Sequence, residues 1–331
     1  MICAVRAQVV EQGEPAVVYY SPKTLVMLDF AYSVEKQEPG IFAQYAEAMI
    51  GAKDAVKEAK ITYAIKDVNI HTKTIPDLAR PHKILPEKDF PLLLTINEKG
   101  LLTGYNMPYV EKKRAPRDES KNCDLTKAPV QIPPYPEEVL KAANPLAQAH
   151  AVAKQIFHIR ETRMYLLNGE VEHAPADGEA MKQVLAELDK QEQALTELFM
   201  GKTSRRIEHK QVILSPEEKK NILYFSDENG FTDAENLEAS TIVISINARP
   251  QQFKHVEGKQ KKTAPVSQLV YNLPGNGEVK VLYKGNELAK RTIPVAQLGV
   301  DVPLPKDLFK GAPLPVIVFD ERTGNIISIS K

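Results

Sequence analysis

Between residues 144 and 201 the chain switches to two capped helical repeats of matched length, while its other apolar residues come in short runs or alternate, and this change of period constrains the fold more than any other feature. Asn144-Pro145 supplies a cap and a first-turn proline. Ala149, Val152, Ile156, Ile159, Arg163 and Leu166 follow at spacings of three and four until Asn168-Gly169 stops the repeat. A second helix is expected from about Gly178 to Met200, with Met181, Val184, Leu185, Leu188, Leu195, Leu198 and Phe199 on one face and Gly201 as its stop. Each helix should be roughly 35 Å long at 1.5 Å per residue. Joined by the loop 169–177, they should form an antiparallel helical hairpin.

On either side the sequence favours strands. From Ala16 to Ser33 the runs VVYY and TLVMLDFAY flank Ser21-Pro22-Lys23, which predicts a hairpin. Glu38-Pro39-Gly40 precedes one short helix, with Ile41, Tyr45, Ala46 and Met49 at helical spacing and Gly51 at its C-terminal cap. Residues 61–75 alternate with one phase change, as a bulged, half-buried strand does. A weak repeat recurs three times, as PLLLTINEKGLLTGYN from Pro91, NILYFSDENGFTDAEN from Asn221 and PVIVFDERTGNIISIS from Pro315. Each is two apolar runs around a polar turn with a glycine, so three hairpins are expected.

Residues 112–136 are polar and then proline-rich, and 249–265 form a basic loop by composition. The expected fold class is therefore α+β, with N-terminal and C-terminal mostly antiparallel β regions flanking an antiparallel two-helix hairpin. The expected divisions are a signal-peptide remnant at 1–7, a β-rich domain with one short helix at 8–128, a proline-rich linker and helical hairpin at 129–202, and a β-rich domain at 203–331.

The 331 residues carry 43 basic and 43 acidic side chains, a balance that argues against a chain-wide electrostatic partner, so no nucleic acid is expected. No stretch approaches the roughly 18 apolar residues of a transmembrane span. Val5-Arg6-Ala7 fits the small-residue rule before a signal-peptidase cut at Gln8, although the basic start and long apolar run of a complete signal peptide are absent. An extracytoplasmic protein of the periplasm or envelope is the expectation, with a short cytoplasmic N-terminus as the alternative. Cleavage there would leave Cys123 as the one cysteine, without an intramolecular disulfide.

Recognisable catalytic motifs fail one by one. Gly201-Lys202-Thr203 lacks the earlier glycine of a phosphate loop and follows a helix, so Gly201 is a cap. Aligning Gly230 as the central glycine of a calcium loop puts Phe225 at the first ligand position. The seven histidines form no HExxH and no zinc pattern, and each is expected to be a surface or half-buried residue. No GxSxG or GxGxxG is present. No catalytic residue, metal ligand or cofactor is assigned, and no serine can be matched to a base from sequence alone. Lys112–Arg114 and Lys254–Lys262 are expected to be solvated loops.

The sharper candidates are Arg160, Glu161 and Arg163, with Glu170 and Glu172 beyond them. Arg163 falls on the apolar helix face, where a charge is costly unless paired. Equal counting from the loop sets it near residue 183, within a turn of Glu179 and Glu187. An interhelical ion pair that fixes register is one account, and an anion or partner site near the hairpin tip is the other.

The segment EPGIFAQYA from Glu38, and more clearly AKQIFHIRETRMYLLNGEVEHAPADGEAMKQVLAELDKQEQALTELFMGKT from Ala153 to Thr203, resembles an uncharacterised Bacteroidetes family, domain of unknown function 4831. The resemblance covers nearly the whole chain. It implies an exported envelope protein of gut or oral bacteria without an established activity, and it carries over no catalytic residue. The resulting expectation is a non-enzymatic scaffold or binding module with envelope proteins or glycans as partners. The alternative is a hydrolase or glycan-processing enzyme with a motif-free cleft. Two carboxylates roughly 5 to 10 Å apart in a cleft would favour the enzyme, and an apolar patch on the hairpin would favour the binding module.

Overall fold

The computed structural model describes residues 16–85, 91–107, 137–170, 178–233, 238–251 and 268–331. Glu172, Cys123 and both basic runs lie outside them, as do all of the 112–136 stretch and most of 249–265. The structure is mixed, with antiparallel sheets and four helices among the described residues. Chain contacts divide it into two compact units. One holds the described residues of Met1–Tyr32, Ile65–Lys113 and Glu208–Lys331, and the other those of Ser33–Ala64 and Arg114–Ile207.

In the first unit the three expected hairpins are present. Strands β3 (Leu94–Ile96) and β4 (Leu102–Tyr105) pair antiparallel, as do β6 (Lys220–Ser226) with β7 (Gly230–Thr232) and β11 (Val316–Phe319) with β12 (Ile326–Ser330). Gly100, Gly230 and Gly324 have φ of 82°, 68° and 75°, the left-handed backbone that glycine adopts without penalty. The first and third hairpins join through β4 and β11 into one sheet ordered β12-β11-β4-β3. The second extends through β8 (Ser240–Arg249), β9 (Val270–Tyr283) and β10 (Asn286–Pro303) into a sheet ordered β10-β9-β8-β6-β7. Tyr19, Leu102, Tyr105, Phe309, Ile317 and Phe319 are buried together in this unit's core.

A third sheet has the order β2-β1-β5, from β1 (Val17–Glu38), β2 (Lys60–Ile84) and β5 (Lys202–Leu214). The expected hairpin around Ser21-Pro22-Lys23 is instead one continuous strand, β1. Its neighbours at that point explain why Pro22 does not break it. The Tyr20 N–H donates to Gly100 O at 2.9 Å, while the Thr24 N–H donates to the Gln297 side chain at 2.9 Å and Gln297 Nε2 returns a bond to Thr24 O at 3.0 Å. No regular ladder bond is demanded of the proline between these contacts. From Thr24 to Phe30 alternate residues are then buried.

The second unit is built on helices. The short helix expected before Gly51 is a 3₁₀ turn followed by α1 (Ala46–Ile50), capped by Gly51 at φ 72°. Then come α2 (Glu137–Lys141), α3 (Pro145–Asn168) and α4 (Gly178–Met200). Asn144 Oδ1 accepts from the Ala147 N–H at 2.9 Å, and Gly169 closes α3 at φ 73°. Val152, Ile156 and Ile159 of α3 are buried with Leu195 and Phe199 of α4, and with Phe42, whose ring centroid lies 5.6 Å from that of Phe199.

Candidate functional site

Four of the five candidate residues lie among the described residues, and two of them act together. Arg160 and Arg163 sit one turn apart on α3 and converge on one carboxylate of α4. Arg160 Nε donates to Glu192 Oε1 at 2.7 Å and Arg163 Nη2 contacts Glu192 Oε2 at 2.8 Å, while Arg163 also binds Asp189. Burial acts to raise the Glu192 carboxyl, but the Arg160 hydrogen bond and charge, with those of Arg163, outweigh it and hold it below the ordinary carboxylate range.

The register differs from equal counting. Glu179 and Glu187, the expected partners of Arg163, lie near Lys182 and Lys190 instead, at 3.6 and 3.9 Å. Rising numbers on α3 meet falling numbers on α4, and side chains tilt towards the N-terminus of their own helix. Those of α3 therefore lean away from Gly169 and those of α4 lean towards Gly178, which moves the meeting point several residues along α4.

Glu161 is exposed and faces elsewhere. It lines an open groove of about 860 Å³ together with Met49, His150, Phe157 and His158. Glu170 is exposed just beyond α3, with its backbone N–H bonded to Tyr165 O at 3.0 Å. Glu172 lies outside the described residues. Among the described candidates, Arg160 and Arg163 meet carboxylates of α4 and Glu161 lines a separate groove.

That other face carries the main surface signal of the unit. Leu146, Phe157 and Met164 are 50%, 45% and 62% exposed, and Leu167 is 65% exposed. The first three are eleven and seven residues apart, close to three and two whole turns, so they lie within about 20° of one line along α3. The helix thus has an apolar face packed in the core and a second apolar stripe in solvent. Periodicity found the buried face and missed the stripe at its border, where buried Ala153 falls within about 20° of the same line.

Sequence reasoning also missed a cluster in the first unit. Ser21 Oγ lies 2.7 Å from His82 Nε2, Asp301 Oδ2 lies 3.7 Å from the same nitrogen, and the imidazole stacks on Tyr19 with centroids 4.9 Å apart. A catalytic serine needs its base to hold the hydroxyl on one ring nitrogen and the carboxylate on the other. Here both sit at Nε2, Ser21 is buried, and the adjoining cavity of about 20 Å³ has room for roughly one water. The arrangement is a packed polar junction, and it does not form an acyl-transfer site. Among the described residues no three His, Cys, Asp or Glu side chains gather closely enough to hold a metal ion, and no helix is long and apolar enough to cross a membrane.

One family model, described as Domain of unknown function (DUF4831), matches residues 15–327. No curated protein and no solved structure matches the chain.

Proposed function

The chain belongs to this family of unknown function, and from that premise we propose that it is a non-enzymatic, exported protein of a Bacteroidetes cell envelope that serves as a scaffold or binding module. In this reading α3 and α4 form an antiparallel hairpin, held in register by the Arg160–Glu192 and Arg163–Asp189 pairs. The working surface is the outer face of α3, and its partner is an envelope protein or glycan.

The observation that carries the reading is the exposed stripe of Leu146, Phe157 and Met164, with Leu167 exposed near its end. Large apolar side chains repeated along one line of a helix surface are costly to leave in water and favour a contact site there. Glu161, His150 and His158 border it in the adjoining groove and give it polar edges. The support for export is the residue pattern before Gln8.

The test is the location and mature N-terminus of the native protein, from cell fractionation and mass spectrometry. The reading expects the chain in the envelope fraction beginning at Gln8. An intact Met1 in the cytosol would refute export.

A further inference from the structure

We propose that Tyr19, Ser21, His82 and Asp301 form an acid-sensitive latch that holds β1, β2 and β10 together near neutral pH and releases them when His82 takes up a proton. The assignment starts from which atom holds the hydrogen. A carboxylate is the stronger acceptor, yet Asp301 stands off from Nε2 at 3.7 Å while the Ser21 hydroxyl approaches to 2.7 Å. That order fits Nε2 accepting from the Ser21 O–H, with the imidazole neutral and its hydrogen on Nδ1.

Protonation removes this acceptor. The Ser21 oxygen can then accept from the new N–H, but its own hydroxyl hydrogen has lost its acceptor, and an unmet buried donor costs about 1–3 kcal/mol. The new cation on His82 faces groups from each neighbouring element. Tyr19 of β1 covers one face of the ring, and Arg80 of β2 places a guanidinium beside Asp301 at 4.0 Å. Arg80 is itself tied to Asp77 at 2.8 Å, and Asp320 and Glu321 of the β11–β12 turn line the same small cavity. Asp320 is engaged by Arg322 and Thr323, and Glu321 by Asn97, which leaves Asp301 as the nearest counter-charge, already shared with Arg80.

The sign follows from the same geometry. Burial pushes the His82 imidazole below its ordinary 6.5, with Asp301 opposing and Arg80 assisting. The folded state prefers the neutral ring, so the latch is fully closed above 6.5 and weakens as pH falls from there to the lowered folded value.

Hydrogen exchange of the full chain, corrected for intrinsic rates, tests this at about pH 7.5 and about pH 5, on either side of 6.5. Peptides covering 17–24 and 80–84 should lose protection about tenfold on acidification while those of α3 hold theirs. His82→Gln should abolish the acid step, and Ser21→Ala should lower protection at neutral pH and shrink the step. An acid step of wild-type size in His82→Gln overturns the latch, as does its absence in the wild type. If His82→Gln does not fold, an undiminished step in Ser21→Ala overturns it.

Discussion

Gly40 meets the backbone of Leu198 so closely that a Cβ at Gly40 would lie 2.3 Å from the Leu198 carbonyl oxygen. The contact fixes the entry to α1 against the last turn of α4, where the Phe42 N–H donates to that same oxygen at 2.8 Å. Backbone cannot step aside as a flexible side chain can. Gly40→Ala should therefore cost about 2–3 kcal/mol through overpacking. Gly51→Ala meets nothing within 4 Å and should cost only the left-handed backbone strain at φ 72°, about 1 kcal/mol. Urea denaturation of both variants checks the order, and equal losses would contradict the close approach.

Asn272 ties together three parts of the first unit. Its Nδ2 donates to Ala296 O and Thr323 O, each at 2.8 Å, and its backbone N–H donates to Gly324 O at 2.9 Å. The side chain is only 3% exposed, so neither carbonyl has water as a ready substitute. Asn272→Asp keeps the shape but loses both donors, and should destabilise by at least as much as Asn272→Ala, about 2–4 kcal/mol. A calorimetric melt in which Asn272→Asp matched the wild type would show that these bonds hold nothing.

Glu192 gives the second unit its own acid dependence. Because its folded carboxyl is held below the ordinary value of 4.5, its contribution is complete above that value and is lost as pH falls below it. Glu192→Gln should cost about 1–2 kcal/mol at neutral pH, in the range of a partly buried pair, and should flatten the loss of stability below 4.5. A variant with an unchanged acid limb would assign that limb to other carboxylates.

Helix caps and hairpin glycines were legible in the sequence, although the turn read at Ser21-Pro22-Lys23 was not one. The Asn144 cap and Gly169 bounded α3, Gly201 closed α4, and the glycines at 100, 230 and 324 marked the three hairpins. What could not be read is what packing decides. The alignment of Val318 with Gly104 joins segments more than two hundred residues apart, and nothing in either run announces the other. The strand read at 61–75 continues to Ile84, through Pro76 and Pro81. Prolines normally end such a run, but β2 lies at the edge of its sheet, where a missing N–H is tolerated. That extension is what brings His82 to Ser21, so the polar junction was hidden along with it.

The equal-counting register of Arg163 failed for a different reason. Helix positions were legible, but the tilt of side chains along each helix shifts where they meet, which is how Asp189 and Glu192 came to replace Glu179 and Glu187.

Site-specific photo-crosslinking in the source cells, from a probe placed at Met164 and followed by fractionation, tests the central claim most directly. The account predicts one discrete adduct in the envelope fraction, lost when Leu167 is changed to Lys and absent from a probe at Lys182, an exposed residue of α4. Adducts of equal yield from both positions, or an uncrosslinked chain confined to the cytosol, would contradict it.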